Sequence, residues 1–270
     1  MKKHLIIILL MFSFCLCMQA QKMQQIKLGP EESANEAEIF VYHPENKDTL
    51  SPAIIFCPGG GYGGLAIDHE GHDMAKWFAS QGFVAVVLEY RMPKGNHTIP
   101  LSDAEKAIST VRKNAGIWKI DKDKVGIVGS SAGGHLAASL SNLAAGENRP
   151  DFAILYYPVI SFDDLIANKG TKNNLLGENI ADTELVARYS LEKQVNDKTP
   201  KTLLFLSDDD QVVVPANSIR YYSALKEKEI PASMYIFPTG GHGWGFKTSF
   251  LYHEEMKTLI QKWLVAMKIQ

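Results

Sequence analysis

The sequence predicts an α/β fold, a mainly parallel central sheet flanked by helices on both faces, and three observations carry that prediction. Continuously apolar runs of strand length recur along the chain, stretches of helical spacing alternate with them, and the runs stop abruptly at glycine, proline or acidic clusters. Strands buried on both faces read as unbroken hydrophobic runs, which is the signature of a parallel sheet covered by helices. With 270 residues, 46% of them hydrophobic, the chain can bury one substantial core, so a single domain is expected.

The first twenty residues stand apart. Met1, Lys2 and Lys3 give a positive start, residues 4–18 an apolar stretch, and Gln19-Ala20 leads into the polar QKMQQ. This is the layout of a secretory signal peptide, cut after Ala20, and it predicts a secreted or periplasmic protein. The apolar run is shorter than the ~20 residues a spanning helix needs, so no stable membrane span is expected after cleavage. Bulky residues before Cys15 and Cys17 argue against a lipid anchor there. The remaining domain, 21–270, keeps only Cys57, which rules out an intramolecular disulfide and reads as a buried strand-end residue.

Along that domain EIFVYHP (38–44) and AIIFC (53–57) read as strands, the second ended by PGGGYGG. EGHDMAKWFASQG has helical spacing and closes at Gly82, a C′ glycine; GFVAVVLEY (82–90) is the next strand. A helix over 101–116, a short strand KVGIVG (124–129) and a helix from Ala132 continue the alternation. It runs on through FAILYYP, TLLFLSDDD, the helical PANSIRYYSALKEKE, SMYIFP and a terminal helix within 250–268. There is no internal repeat. Residues 161–200, rich in Asn, Asp, Lys and Glu, break the rhythm. They read as a short polar, cap-like insertion over the C-terminal edge of the sheet, where open α/β folds bind ligands, or equally as a surface excursion. A net charge of −2, with no basic cluster beyond the N-terminus, excludes a nucleic-acid partner.

Gly129-Ser130-Ser131-Ala132-Gly133 matches G-x-S-x-G directly between a strand and a helix, the context that motif requires. A sharp turn there thrusts Ser131 out at the sheet edge as a nucleophile, while Ser130 points elsewhere and is expected to orient the acid or the turn. Neither G-x-G-x-x-G nor a P-loop lysine is present, so the alternative of a nucleotide cradle has little support. A serine hydroxyl needs a base, itself oriented by an acid. His242, with glycines on both sides after the last strand, is the base; the acid comes from Asp208-Asp209-Asp210 after the preceding strand. Asp210 is preferred because it stands where the loop turns toward the next helix, with Asp208 and Asp209 as solvated or capping charges. His135 reads as a packing residue, and His69, His72 and His97 as loop or helix-start residues without partners. The glycine run after Cys57 lets backbone N–H groups of Gly60 and Gly61 converge, with Ala132 N–H as a third donor, to form an oxyanion hole.

These stretches resemble the α/β-hydrolase superfamily, and within it secreted bacterial carbohydrate esterases related to acetyl xylan and feruloyl esterases. The resemblance rests on IIFCPGGGYGGLAIDHEG, LEYRM, VGIVGSSAGGHLAA, LYYPVIS and SDDDQVVVPANSIRYYSALKEKEIPASMYIFPTGGHGWG. It implies the α/β-hydrolase fold and a triad of Ser131, Asp210 and His242. Pro58 stands where the family's lipase-like branch has a histidine, which changes what anchors the oxyanion loop. Asp68-His69-Glu70-Gly71 recurs in the esterase branch as a structural or site-bordering element. The function implied is a serine esterase acting on an acylated carbohydrate such as xylan, with no metal and no cofactor. Tyr62, Tyr157 and Trp244, beside the predicted site loops, are candidates to stack on the substrate. A prolyl-oligopeptidase-like peptidase and a non-catalytic ligand-binding protein on the same fold are the alternatives.

Overall fold

The computed structural model describes residues 23–29, 36–45 and 49–270. The predicted signal peptide, 1–20, lies outside the described residues. The expected alternation appears as one eight-stranded sheet in the order β1-β2-β4-β3-β5-β6-β7-β8. The strands are β1 (Met23–Lys27), β2 (Glu38–Tyr42), β3 (Ser51–Cys57), β4 (Val84–Glu89), β5 (Ile120–Ser130), β6 (Phe152–Tyr156), β7 (Lys201–Ser207) and β8 (Ala232–Phe237). Among the described residues only the β1–β2 and β2–β4 pairings are antiparallel. The edge strand β1, MQQIK, is mostly exposed and polar, and for that reason carries no apolar pattern a sequence reading would find.

The period of two along each strand divides the core. On β3, Ala53, Ile55 and Cys57 join the cluster beneath α2 (Thr98–Lys113), α4 (Ser131–Leu143) and α7 (Ala216–Glu227). Ile54 and Phe56 join the opposite cluster, with α1 (Asp73–Ser80) and α8 (His253–Ala266). All seven β3 residues are buried, the reason the run is unbroken in sequence. The helix expected from Glu70 starts as a wide π-type turn over Asp68–His72 before α1 begins. A four-residue α3 (Ala115–Trp118) follows α2, which starts at Thr98, with Pro100 tolerated in its first turn, where N–H groups have no helical acceptor.

Residues 161–200 are built rather than loose. They hold α5 (Lys169–Leu176) and α6 (Thr183–Arg188), whose N-termini are capped by the side chains of Asn168 and Asp182. Phe162, Leu175, Leu176, Tyr189 and Leu191 bury their side chains in the core cluster beneath α4. The two neighbours of β3 are reached by crossovers in opposite directions, so the chain reverses between β3 and β5. The carboxyl ends of those two strands frame the crevice in which α/β sheets place their ligands.

Candidate active site

Cys57 pairs with Gly129 and Ser130 with Tyr156, so the loops leaving β3, β5 and β6 start level with one another. At the end of β5 the backbone reverses into α4 through Ser131, which takes φ +53°, a left-handed conformation costly for a side-chain-bearing residue. The surrounding glycines are sterically required. A methyl on Gly133 would lie 2.0 Å from the Cys57 carbonyl oxygen, and one on Gly129 2.2 Å from the Gly133 oxygen. The elbow is further held by Val159 N–H donating to the Ser131 carbonyl at 3.0 Å.

Ser131 Oγ lies 2.8 Å from His242 Nε2, and His242 Nδ1 lies 2.7 Å from Asp210 Oδ2. A carboxylate only accepts, so Nδ1 carries the proton and Nε2 is left as the acceptor for the serine O–H. Asp210 is 1% exposed, and its other oxygen accepts the N–H groups of Val212 and Val213, both at 2.9 Å. The backbone thus orients the acid; Ser130, expected to orient the acid or the turn, is buried at the end of β5, directly before the turn.

The neighbouring acids separate cleanly. Asp208 is exposed and its side chain makes no hydrogen bond among the described residues. Asp209 is exposed too, yet its two oxygens accept Gly241 N–H at 2.8 Å and Gly240 N–H at 3.3 Å. It holds the turn that presents His242. Sequence reading saw only a solvated or capping charge there; the signal available was an acid on one strand end facing a Gly-Gly pair on the next.

The loop after β3 carries Gly60 at φ +135° and Gly61 at φ +64°. Their N–H groups donate to no atom among the described residues, and Ala132 N–H lies in the first turn of α4, beyond reach of a helical acceptor. Three side chains anchor this loop, in which Pro58 stands before the glycines. Tyr90 O–H donates to the Pro58 carbonyl at 2.7 Å, Glu70 accepts Gly59 N–H at 2.7 Å, and Asn174, from α5, donates to the Gly61 carbonyl at 2.8 Å. Glu70 belongs to the DHEG stretch to which sequence alone gave no catalytic role.

The three candidate stacking aromatics are buried side chains: Tyr62 is 2%, Tyr157 1% and Trp244 4% exposed. Trp244 stacks on Phe250 at 4.1 Å between centroids and donates its indole N–H to Ser207. Tyr157 packs 4.7 Å from the His242 ring with its hydroxyl fully engaged. Burial and the nearby Glu70 hold the Tyr157 phenol well above its usual pKa, so it stays protonated. Tyr62, at φ +59°, sends its hydroxyl inward to His135 Nδ1 at 3.1 Å. Tyr157 and Trp244 are wedges beneath their loops, whereas Tyr62, though almost wholly buried, borders a cavity beside the glycine loop.

His135 is a packing residue, as expected, stacked on Phe162 at 4.6 Å and donating from Nε2 to the Tyr189 carbonyl at 3.0 Å. Burial lowers its pKa from 6.5 to about 4. His72 and His97 do have partners: Nδ1 of His72 lies 2.8 Å from the Tyr42 hydroxyl, and Nδ1 of His97 2.9 Å from that of Tyr189. Their polar partners sit 30 and 92 residues away in sequence, which conceals them from a linear reading. Among the described residues no group of three or more His, Cys, Asp or Glu is arranged to hold a metal ion. No helix among them is long and apolar enough to cross a membrane.

Comparison with known proteins places this geometry in context. The BD-FAE family model matches residues 39–225. An acetylxylan esterase of Xylanibacter ruminicola is 39% identical over 250 residues, which is 92% of this chain and 52% of that protein. The endo-1,4-beta-xylanase B of Butyrivibrio fibrisolvens is 38% identical over 220 residues, 76% of this chain and 34% of that protein. The chain therefore spans about half of the first relative and about a third of the second. Among solved structures, an acetyl ester-xyloside bifunctional hydrolase from Caldicellulosiruptor lactoaceticus superposes with a TM-score of 0.85 at 33% identity, covering 93% of this chain and 98% of that one.

Proposed function

The chain belongs to the BD-FAE family, and on that footing we propose that it is a serine carboxylic-ester hydrolase that removes acetyl or feruloyl groups from plant polysaccharide such as xylan. The observation that carries the reading is the single imidazole hydrogen-bonded to both Ser131 and Asp210, beside a loop with unclaimed N–H groups. In this reading Ser131 Oγ attacks the ester carbonyl and its proton passes to His242 Nε2. Asp210 stabilises the resulting imidazolium and keeps the productive tautomer. The oxyanion forms among the N–H groups of Gly60, Gly61 and Ala132, where each donor is worth about 2.7–4 kcal/mol of barrier. Collapse expels the sugar alkoxide, which takes the proton from Nε2. Water then attacks the acyl-serine with His242 as base again, releasing the carboxylic acid and restoring the serine.

The carbohydrate part of the reading is supported by the xylan-directed names of the two relatives and by a cavity beside the oxyanion loop. That cavity, about 300 Å³, is lined by Tyr62, Gly63, Met92, Lys94 and Asn174 among others, a mixture of polar and apolar groups. It lies at the lower end of the roughly 300–1,000 Å³ typical of ligand pockets. Export rests on the N-terminal sequence; N-terminal sequencing of the protein recovered outside the cytoplasm should begin at Gln21, and an intact Met1 there would refute it.

A serine-directed fluorophosphonate should label the protein once, at Ser131, with labelling abolished in Ser131→Ala and kept in Ser130→Ala. Release of acetate or ferulate from acylated xylan should depend on the same serine. Labelling that survives Ser131→Ala, or turnover of a dipeptide amide with none of the acylated xylan, would refute the assignment.

A further inference from the structure

Glu70 is a carboxylate with 3% of its surface exposed, and it hydrogen-bonds to neither Ser131 nor His242. Burying a carboxylate costs several kcal/mol unless hydrogen bonds compensate, so an acid that takes no part in proton transfer calls for a physical reason. Its contacts supply one. Oε2 accepts the Gly59 N–H at 2.7 Å, one residue before the oxyanion glycines, and Oε1 accepts the Tyr157 O–H at 2.7 Å. The Tyr157 oxygen in turn accepts Gly245 N–H at 2.6 Å, three residues after the catalytic histidine. A parallel tie runs from Phe246 N–H to the His69 carbonyl at 2.8 Å.

The result is one unbroken chain of hydrogen bonds, Gly59 to Glu70 to Tyr157 to Gly245, joining the oxyanion loop to the histidine loop behind the elbow. Space is closed on both sides of the carboxylate. A methyl on Gly59 would sit 2.6 Å from Glu70 Oε2 and 3.0 Å from Ser131 Cβ, and one on Gly245 2.8 Å from Glu70 Cγ. Only a group with two acceptor oxygens can receive a backbone N–H and a phenol at once in that space.

We propose that Glu70, acting through Tyr157, is a positioning residue for the transition state: it fixes the spacing between the oxyanion donors and the His242 ring so that both converge on one substrate carbonyl. This rests on the reading of Gly60 and Gly61 as oxyanion donors. Glu70→Gln is the informative change because it preserves shape and removes one acceptor. With its oxygen toward Gly59, the amide nitrogen confronts a phenol that already receives Gly245 N–H and has lost the acceptor for its own proton. With its oxygen toward Tyr157, the nitrogen opposes Gly59 N–H. Either arrangement breaks the chain at one point and frees one loop to shift.

The assay is hydrolysis of 4-nitrophenyl acetate, together with inhibition by phenylboronic acid, which forms a tetrahedral adduct on Ser131. A displacement near 1 Å costs about 10²-fold in rate, so Glu70→Gln should lower kcat by roughly 10- to 100-fold with KM held within about twofold. The boronate inhibition constant should rise by the same factor as kcat/KM falls. Tyr157→Phe should reproduce the loss, and the double variant should be no worse than the weaker single variant, since both cut one chain. Should Glu70→Gln not fold, Tyr157→Phe carries the same test. Unchanged kcat and boronate affinity, or a loss of activity that tracks only a lower Tm while boronate affinity is retained, would overturn the proposal. An inactive wild type would instead refute the esterase reading on which it rests.

Discussion

Replacing Asp210 by asparagine should disable the base through its tautomer rather than through lost packing. Oδ1 of Asp210 accepts the Val212 and Val213 N–H groups, both at 2.9 Å, while Oδ2 faces His242 Nδ1 at 2.7 Å. In the variant the amide oxygen keeps the two backbone donors, because turning it around would set its NH2 against both of them. Each such unmet buried donor costs about 1–3 kcal/mol, so two are worse than one. The amide NH2 therefore points at Nδ1, which must become an acceptor, and the ring proton moves to Nε2, opposite the serine hydroxyl. Ser131 then has no base. The corresponding acid-to-amide change in a Ser-His-Asp triad lowers kcat about 10⁴-fold, or about 5 kcal/mol of barrier. In Asp209→Asn one oxygen can still accept Gly241 N–H, and a loss below about tenfold is expected because only the weaker Gly240 bond goes. Asp208→Asn should change kcat by less than about twofold, as an exposed side chain with no partner should. The measurement is kcat for 4-nitrophenyl acetate in the three variants beside their Tm values. Equal losses across the three, or a larger loss at Asp209 than at Asp210, would refute the assignment.

Two further outcomes follow from groups outside the triad. His135 is protonated in the unfolded chain below 6.5 but stays neutral in the fold until about 4, so the unfolded state binds the extra proton between those values. Its contribution is complete above the unfolded pKa and is lost as pH falls from 6.5 toward 4, amounting to about 3 kcal/mol by the lower limit. Thermal unfolding from pH 7 to pH 4 should show a shallower fall in Tm for His135→Gln than for the wild type, and parallel curves would refute the buried neutral histidine. Gly133→Ala should displace the carbonyls of Cys57, at the end of β3, and of Pro58, which its methyl would meet at 2.0 and 2.4 Å. Overpacking of about 1–3 kcal/mol corresponds to a fall of roughly 2–12 °C in Tm, and the oxyanion loop should shift with it. Wild-type Tm and kcat in that variant would show that the strand and helix do not meet so closely.

How much was legible follows from the kind of signal each part leaves. Strands β3 to β7 lie inside the sheet, and burial on both faces wrote unbroken apolar runs into the sequence; of the two edge strands, β8 keeps an apolar run although it is only partly buried, and β1 wrote none. Ser131, His242 and Asp210 were found because a strand end followed by glycines or acids is a local pattern. The burial of Tyr157 and Trp244 was not legible, because a tyrosine or tryptophan next to a site loop has the same sequence signature whether it faces solvent or wedges the loop from below. Glu70, Asp209, Tyr90 and Asn174 could not be found that way. Each makes one or two bonds to a backbone group 11 to 113 residues away, and such ties have no period.

Those ties explain why the strain at the site can persist. Tyr62, Ser131 and Tyr157 all have positive φ, at 59°, 53° and 34°, and they leave the ends of β3, β5 and β6 respectively. A non-glycine residue in that region costs of order 1–3 kcal/mol and survives only where its surroundings over-determine it. Tyr62 is pinned through His135, Ser131 through Val159 and the glycines of the elbow, and Tyr157 through Glu70 and Gly245. The sheet register brings the strand ends level, but it cannot fix where a loop amide points. Side chains drawn from the DHEG turn, α4 and α5 do that, so the residues that hold the site lie largely outside the three that the motif announces.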